Sequence, residues 1–149
     1  MRLPARTDYA LRAALELAAS PDAPLTTDEL ARRQRIPTSY LGSILAELRR
    51  ATLVRARRGP DGGWSLARAA NEIRLADVIR AVDGALADIA GTRPENLRYS
   101  GPAEGLQPVL VALRAAERQI LDEVTLADVV AQRFPSRVPK LLDDPHAWE

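Results

Sequence analysis

The sequence predicts a mainly α-helical fold with one small β-hairpin, and three features predict it. Two short helical segments are separated by a tight turn at residues 35–38, and two short alternating segments flank a glycine-rich turn at residues 58–63. A long apolar helix follows from about residue 106. Helix, turn, helix and then hairpin is the order of elements in a winged helix-turn-helix, to which the long helix would be an addition.

The first two helices are recognised by different signals. Residues 7–19 carry apolar side chains at helical spacing, namely Leu11, Ala14, Leu15 and Ala18. The second helix, residues 27–34, has a well-marked start, because Thr26 and Glu29 have the Thr-x-x-Glu spacing of a capping box. The leucines on either side of this pair are placed as a hydrophobic staple, which favours a helix that begins at this point.

A proline separates the second helix from the third. Pro37 disfavours helical geometry at Ile36, and Thr38 or Ser39 can cap a new helix over residues 39–51. The apolar face of this helix consists of Leu41, Ile44, Leu45 and Leu48. Two short helices joined in this way are the helix-turn-helix arrangement.

The β-hairpin, or wing, is predicted from two short strands, residues 53–57 and 63–66, which roughly alternate apolar and polar side chains. The run between them, Arg58-Gly59-Pro60-Asp61-Gly62-Gly63, is rich in turn-forming residues. A fourth helix is expected at residues 75–83, and Gly84 is placed to end it.

The C-terminal part is predicted to contain the long helix, residues 106–123, and a short helix over residues 126–132 that Thr125 caps. Segments 73–78 and 124–129 are alike, which we interpret as two helix starts of one kind. The predicted organisation is a winged helix-turn-helix domain (1–84), a loop (85–105), the long helix with the short helix after it (106–132) and a flexible tail (133–149).

The charge is unevenly distributed along the chain. The formal net charge of the 149 residues is +1, but residues 1–68 hold twelve arginines against seven acidic residues, a net of +5. Residues 69–149 hold nine basic and thirteen acidic residues, a net of −4. The near-neutral total therefore does not argue against a nucleic-acid partner. All basic residues except Lys140 are arginines, which suit phosphate and guanine edges, although coding bias also explains the choice of Arg over Lys.

The composition excludes several classes of function. Cysteine is absent, which excludes disulfides, thiolate catalysis, zinc fingers and cysteine-ligated clusters. The one histidine, His146, lies near the C-terminus, so the usual general base for a nucleophile is lacking. We therefore expect no enzyme, no metal and no cofactor. No apolar run is long enough for a membrane span and no signal peptide is recognisable, so a cytoplasmic protein is expected.

The pattern of polar and basic residues indicates DNA binding. The second helix of a helix-turn-helix enters the major groove with its N-terminal residues nearest the base edges. Here those residues are Thr38, Ser39, Tyr40 and Ser43. Arg49 and Arg50 are better placed for backbone contact, and Arg55, Arg57 and Arg58 make the hairpin basic. The alternatives are that Tyr40 packs between helices and that the arginines form a solvated face.

The long helix predicts a homodimer, because it is too apolar for a small domain to cover easily. Its candidate interface residues are Leu106, Val109, Leu110, Leu113, Ile120, Leu121 and Val124. The alternative is that this helix packs on its own domain.

Residues 1–130 as a whole resemble the Rrf-two family of winged-helix transcriptional regulators (IscR/NsrR-like). The segments that carry the resemblance are Asp8-Tyr9-Ala10-Leu11, Ser39-Tyr40-Leu41, Leu48-Arg49-Arg50, the wing from Arg58 to Ala67, and Leu75 to Gly84. Family members are dimeric bacterial regulators. The resemblance implies DNA contacts at Arg2, Tyr9, Ser39, Tyr40, Arg58, Gly59 and Pro60.

This chain departs from the family pattern at the positions that bind an iron–sulfur cluster. Cluster-binding members carry three cysteines in the loop that corresponds to residues 85–105, where this chain has none. Some members use an acidic residue and a histidine in the first helix, where this chain has Asp8 and Arg12. We therefore expect a member that lacks the cluster.

These expectations combine into one interpretation. We expect a homodimeric repressor that binds double-stranded DNA at a pseudo-palindromic operator. An unknown small-molecule effector can be placed between the helix at residues 75–83, the loop and the long helix. The alternative is a winged-helix protein-interaction module that regulates through a partner protein.

Overall fold

A computed structural model describes residues 3–149, so the expected contact at Arg2 lies outside the described residues. The helices are α1 (Ala5–Ala18), α2 (Thr27–Gln34), α3 (Thr38–Arg50), α4 (Leu75–Asp83), α5 (Leu106–Leu121), α6 (Leu126–Ala131) and α7 (Arg137–Leu142). The strands are β1 (Val54–Arg57) and β2 (Gly63–Leu66), and short 3₁₀ turns occur at Ala70–Glu72, Pro94–Asn96, Gly101–Ala103 and Pro145–Trp148. The predicted fold class, mainly α with a small β-wing, is confirmed.

The capping box at the start of α2 is present as predicted. The Thr26 backbone N–H donates to Glu29 Oε2 at 2.7 Å, and the Glu29 N–H donates to Thr26 Oγ1 at 3.2 Å. These hydrogen bonds from Thr26 hold the pKa of Glu29 below its ordinary value. Leu25 and Leu30 are both buried, as a hydrophobic staple requires.

The start of α3 differs from the prediction that Thr38 or Ser39 caps it. The helix begins at Thr38 itself, directly after Pro37, and neither side chain makes a cap hydrogen bond. Arg35 adopts the left-handed conformation (φ 52°) and ends α2, and the Ile36 N–H then donates to Ala31 O at 3.0 Å. Because the chain has already turned at Arg35, both hydroxyls are left on the exposed start of α3.

The wing is an antiparallel pair in which Val54 lies opposite Leu66 and Arg57 lies opposite Gly63. Leu25 extends this pairing, since it exchanges two backbone hydrogen bonds with Trp64 at 2.9 and 2.7 Å. Gly63 is required at this crossing, because its φ is +142° and a Cβ there would lie 2.7 Å from the Leu25 backbone. The wing is thereby fixed to the segment that leads into α2.

The core surrounds α1, which packs against α3, α4 and α6. Its large, fully buried members include Leu17, Leu30, Leu41, Ile44, Leu45, Leu48, Ile73 and Leu126. The four apolar residues predicted for α3 are all in this set, so the opposite face of α3 is free to face outward.

The look-alike segments 73–78 and 124–129 pair with each other. The Leu75 N–H donates to Val124 O at 3.0 Å, and the Leu126 N–H donates to Ile73 O at 2.9 Å, around an antiparallel bridge between Arg74 and Thr125. This contact fixes the start of α6 beside the start of α4. Thr125 caps α6, as predicted, and it does so through a capping box with Asp128.

Val124 does not belong to the exposed face of the long helix, and its assignment to the dimer interface is wrong. The helix α5 ends at Leu121, and Val124 is only 3% exposed because its segment pairs with the start of α4. A side chain buried within its own chain cannot contact a second copy.

The last segment is more regular than a structureless tail. Residues 137–142 form α7, and the Trp148 indole N–H donates to Leu142 O at 2.9 Å. Most of its side chains are exposed. Within residues 3–149, no helix combines the length and the apolar character needed to cross a lipid bilayer.

Candidate nucleic-acid interface

The α3 helix has one buried face and one exposed polar face. Thr38, Ser39, Tyr40 and Ser43 are all exposed near its N-terminus. The Ser43 hydroxyl donates to Tyr40 O at 3.2 Å, so it turns back toward its own helix in the unbound chain. The helix start thus presents four hydroxyl groups, which is the chemistry that reads bases and phosphates in a groove.

The Tyr40 side chain packs against α1. Its side chain is 50% exposed, and its ring meets the half-buried Tyr9 ring edge-on, with the centroids 5.6 Å apart. Arg12 lies over the Tyr9 ring, with its Cζ 5.0 Å from the centre of that ring. Tyr40 therefore both packs between helices and leaves half of its surface free.

The C-terminal end of α3 carries Arg49 and Arg50, both exposed. Arg50 Nη2 lies 3.6 Å from Glu47 Oε1, and Arg6 of α1 binds the other oxygen of Glu47 at 2.7 Å. Arg49 has no ion-pair partner within residues 3–149. Sequence reasoning did not find the role of Arg6, because its partner lies 41 positions away and no local pattern signals the pair.

The wing presents arginines on its exposed surface. Arg55 Nε donates to Ser65 Oγ across the hairpin at 3.2 Å, whereas Arg57 and Arg58 are exposed and have no ion pair in the described part of the chain. Gly59 has a φ of +104°, and Pro60 follows it in the exposed tip. Two unpaired guanidinium groups next to a tip without large side chains can approach a phosphate backbone closely.

The residues at the family's cluster-binding positions do not fit an iron–sulfur cluster. Arg12 Nε lies 3.0 Å from Asp8 Oδ2, and Arg12 Nη1 donates to Gln34 O at 2.7 Å. The Arg12 guanidinium cannot ligate iron, and it holds the Asp8 carboxylate in an ion pair. The loop at residues 85–105 supplies no thiolate.

The predicted interface residues of α5 fall into three groups. Leu106, Val109 and Leu113 are exposed, while Leu110, Ile120 and Leu121 are half-buried against their own chain. The third group is Val124, which is buried. The sequence prediction also missed one large exposed apolar residue of this helix, Val111, because it lies beside the main stripe.

Comparisons with known proteins agree with this fold. The profile of the Rrf2 family, described as "Iron-dependent Transcriptional regulator", matches residues 3–132. The HTH-type transcriptional regulator Rv1287 of Mycobacterium tuberculosis is 45% identical over 150 residues, covering 100% of this chain and 93% of that protein. IscR of Photobacterium profundum is 43% identical over 84 residues, which cover 56% of this chain and 49% of IscR.

Solved structures of regulators have the same fold. CymR, the global cysteine regulator of B. subtilis, superposes with a TM-score of 0.76 at 26% identity, covering 89% of this chain and 98% of that one. IscR of T. potens gives a TM-score of 0.74 at 27% identity, with 89% and 88% covered.

The fold, the polar face of α3 and the basic wing define a winged helix-turn-helix protein that binds DNA and regulates transcription. Because the family profile spans most of the chain, the chain belongs to the Rrf2 (Rrf-two) family. It is a member without cysteine.

Proposed function

We propose that this protein is a homodimeric repressor that places one α3 helix from each protomer in successive major-groove segments of a pseudo-palindromic operator. The observation that carries the proposal is the exposed polar start of α3, together with a wing in which Arg57 and Arg58 are exposed and have no ion pair within residues 3–149. In the groove, Ser39 and Tyr40 reach base edges or phosphates, and Thr38 and Ser43 supply further hydrogen bonds.

The wing and the C-terminal end of α3 position the protein without reading sequence. Arg57, Arg58, Arg49 and Arg50 contact phosphates, since their exposed guanidinium groups suit the DNA backbone. Gly59 and Pro60 bring the backbone of the wing tip close to the DNA. Arg55 makes a weaker contribution, because it is already bonded to Ser65.

The dimer forms through α5, a long helix that its own domain covers poorly. Within Leu106–Leu121, all of which is described, no residue is fully buried, and Val109 is 62% exposed. Leu106, Val109 and Leu113 lie at helical spacing on one exposed stripe, and a second copy of α5 would cover it. A two-fold dimer matches a two-fold operator, and its half-sites are about one helical turn, or a multiple of it, apart.

Two features of the proposal follow from the departures from the family. The protein works without an iron–sulfur cluster, because Arg12 and the cysteine-free loop replace the cluster ligands. It responds instead to a small molecule that binds between α4, the following loop and α5. As a regulator of transcription it acts in the cytoplasm, where bacterial DNA is located.

The experiment that tests this proposal is the selection of bound fragments from genomic DNA by the purified protein. The expected result is an enriched pseudo-palindromic motif that is occupied by two protomers, and lower transcription from a promoter that contains it. A motif without two-fold symmetry would contradict the dimeric mode. Enrichment of no motif would contradict sequence-specific binding.

A further inference from the structure

Four arginines converge on one cavity in the acidic half of the chain. The cavity has a volume of about 260 Å³ and lies between the end of α4, the segment 84–86 and α5. Its wall contains Arg80, Arg93, Arg114 and Arg118. These are four of only nine basic residues in segment 69–149, which carries a net charge of −4. Their concentration at one place is therefore not a consequence of a generally basic surface.

Carboxylates outside the cavity wall neutralise part of this charge. Asp122 binds Arg80 at 2.8 Å and Arg118 at 2.9 Å, and Glu95 is paired with Arg114. The pKa of Asp122 is held below its ordinary value mainly by the hydrogen bond from Arg80, so this carboxylate stays ionised at neutral pH.

The neutralisation is incomplete. Asp77 approaches Arg80 only to 3.9 Å, and Arg93 has no ion pair among the residues that the structure describes. Three carboxylates therefore lie near four guanidinium groups, so the positive charge of the cluster exceeds the negative charge by one. An anion in the cavity would supply the missing negative charge.

The adjoining cavity has the opposite character. It has a volume of about 410 Å³ and shares Ala85 and Leu86 with the first cavity, but Asp83, Asp88 and Glu117 lie in its wall. An anion is repelled from this acidic wall and attracted to the arginines on the other side of the shared segment. The charge pattern therefore selects one of the two cavities for an anionic ligand.

We infer that the cavity formed by Arg80, Arg93, Arg114 and Arg118 is an effector site for a small polyanion that carries phosphate or carboxylate groups. A planar guanidinium group can pair with either a phosphate or a carboxylate through two parallel hydrogen bonds. This inference rests on the proposed function, because it names the ligand class of the effector region and assumes that α5 forms the dimer.

The position of the cavity couples the ligand to DNA binding. The α4 helix packs on α1 and α3, whereas α5 carries the proposed dimer stripe. Between α4 and α5 the apolar contact is small, consisting of Ala76, Ile79 and Leu86 with Leu121 and Leu11 packed against them. An anion that binds Arg80 on one helix and Arg118 on the other changes how the two helices sit together. In the dimer this changes the spacing of the two α3 helices.

Calorimetry on the full-length protein without DNA, at low ionic strength, tests the site. The probes are inorganic pyrophosphate and citrate. The probe that binds more tightly identifies phosphate or carboxylate as the preferred group. We expect saturable binding of one anion per protomer, and Arg93→Ala should weaken it by at least about tenfold. The matched control is Arg74→Ala, which removes an exposed arginine that directly precedes α4 and lies outside the cavity wall, and which should leave the affinity within about twofold.

Two results would overturn the assignment of the site. One is the absence of saturable heat with either probe at millimolar concentrations. The other is an equal loss of affinity in both variants, which would indicate general charge attraction only. Operator affinity without added anion gives a third check. If Arg93→Ala lowers it as much as Arg58→Ala does, Arg93 is a DNA contact and the assignment of the site is overturned.

The effector role has its own test. The tighter probe should change the affinity of the native dimer for its operator, and not that of Arg93→Ala, because coupling between two sites is reciprocal. Unchanged operator affinity at saturating anion would overturn the effector role. Operator binding without any anion is measured in the same series, so a failure of DNA binding itself is recognised separately.

Discussion

Tyr40 of α3 rests edge-on against Tyr9 of α1, with the ring planes at 64° and the centroids 5.6 Å apart. The two residues are far apart in sequence, yet this contact fixes the direction in which Tyr40 leaves α3. The Arg12 guanidinium in turn lies over the Tyr9 ring, with Cζ 5.0 Å from the ring centre. The orientation of the proposed DNA-contacting ring is therefore set in the unbound protein, which lowers the entropic cost of binding.

The first prediction concerns the Tyr40 hydroxyl, which has no hydrogen-bond partner within residues 3–149. Tyr40→Phe keeps the edge-on ring contact and removes only the hydroxyl, so the free energy of unfolding should be unchanged. Operator affinity should fall by about 0.5–1.5 kcal/mol, the usual net value of one hydrogen bond. Fluorescence anisotropy with a labelled operator measures this difference, and an unchanged affinity would remove the hydroxyl from the contact set.

The second prediction concerns Arg58 at the tip of the wing. Arg58→Ala should weaken binding to operator and unrelated DNA alike, because a phosphate contact carries no sequence information. The slope of log K against log salt concentration should decrease by about one unit. The control is Arg133→Ala, which removes an exposed arginine near α6 and should change neither quantity. A loss confined to the operator would mean that Arg58 reads a base.

The third prediction concerns the exposed stripe of α5. Val109→Asp should shift the protein from dimer to monomer in sedimentation, because the carboxylate would be desolvated between the two copies. The helical content should be retained, since Val109 is 62% exposed in the single chain. Ala115→Asp places the same charge on another exposed face of α5 and serves as the control. If both variants remain dimeric, α5 is not the interface.

Val124 should behave in the opposite way. Val124→Ala removes buried methyl groups, so it should lower the free energy of unfolding by about 1–2 kcal/mol. Denaturation of the monomer and of the dimer should show the same loss. An effect of this variant on the dimer dissociation constant alone would restore Val124 to the interface.

The fifth prediction concerns pH and Asp122, which joins α4 to α5. Its folded-state pKa lies below the ordinary value, through the hydrogen bond from Arg80 first and that from Arg118 next. Its contribution to stability is therefore complete above the pKa of the unfolded chain, about 3.9, and is lost as the pH falls through the lower folded-state pKa. Asp122→Asn should flatten this acid limb of the stability profile. Glu95 and Glu29 titrate in the same direction, so part of the limb should remain.

Local signals predicted much of the fold. The Thr26–Glu29 capping box, the spacing of leucines in α3 and the glycine-rich turn of the wing each act over a few residues, and each is found where it was expected. The cap of α3 was misread because Arg35 adopts a left-handed conformation that no side-chain pattern announces.

Long-range pairing could not be predicted in this way. The assignment of Val124 failed because its segment pairs with residues 73–75, some fifty positions earlier, and a helical stripe alone does not reveal such a partner. The same holds for the Tyr9–Tyr40 contact and for the arginine-lined cavity, whose members come from α4, the loop and α5. Apart from Arg2 and Tyr9, which the family resemblance implies, the candidate DNA-contact residues lie in α3 and the wing, which follow each other in the sequence, so sequence reasoning could find them.

The salt dependence of binding to the selected operator, compared with a shuffled duplex of equal length, tests the central claim most directly. A DNA-binding dimer that contacts phosphates through its arginines should lose affinity for both duplexes steeply as salt rises. It should bind the operator at least about a thousandfold more tightly throughout. An affinity that is flat between low and moderate salt, or equal for the two duplexes, would contradict the account.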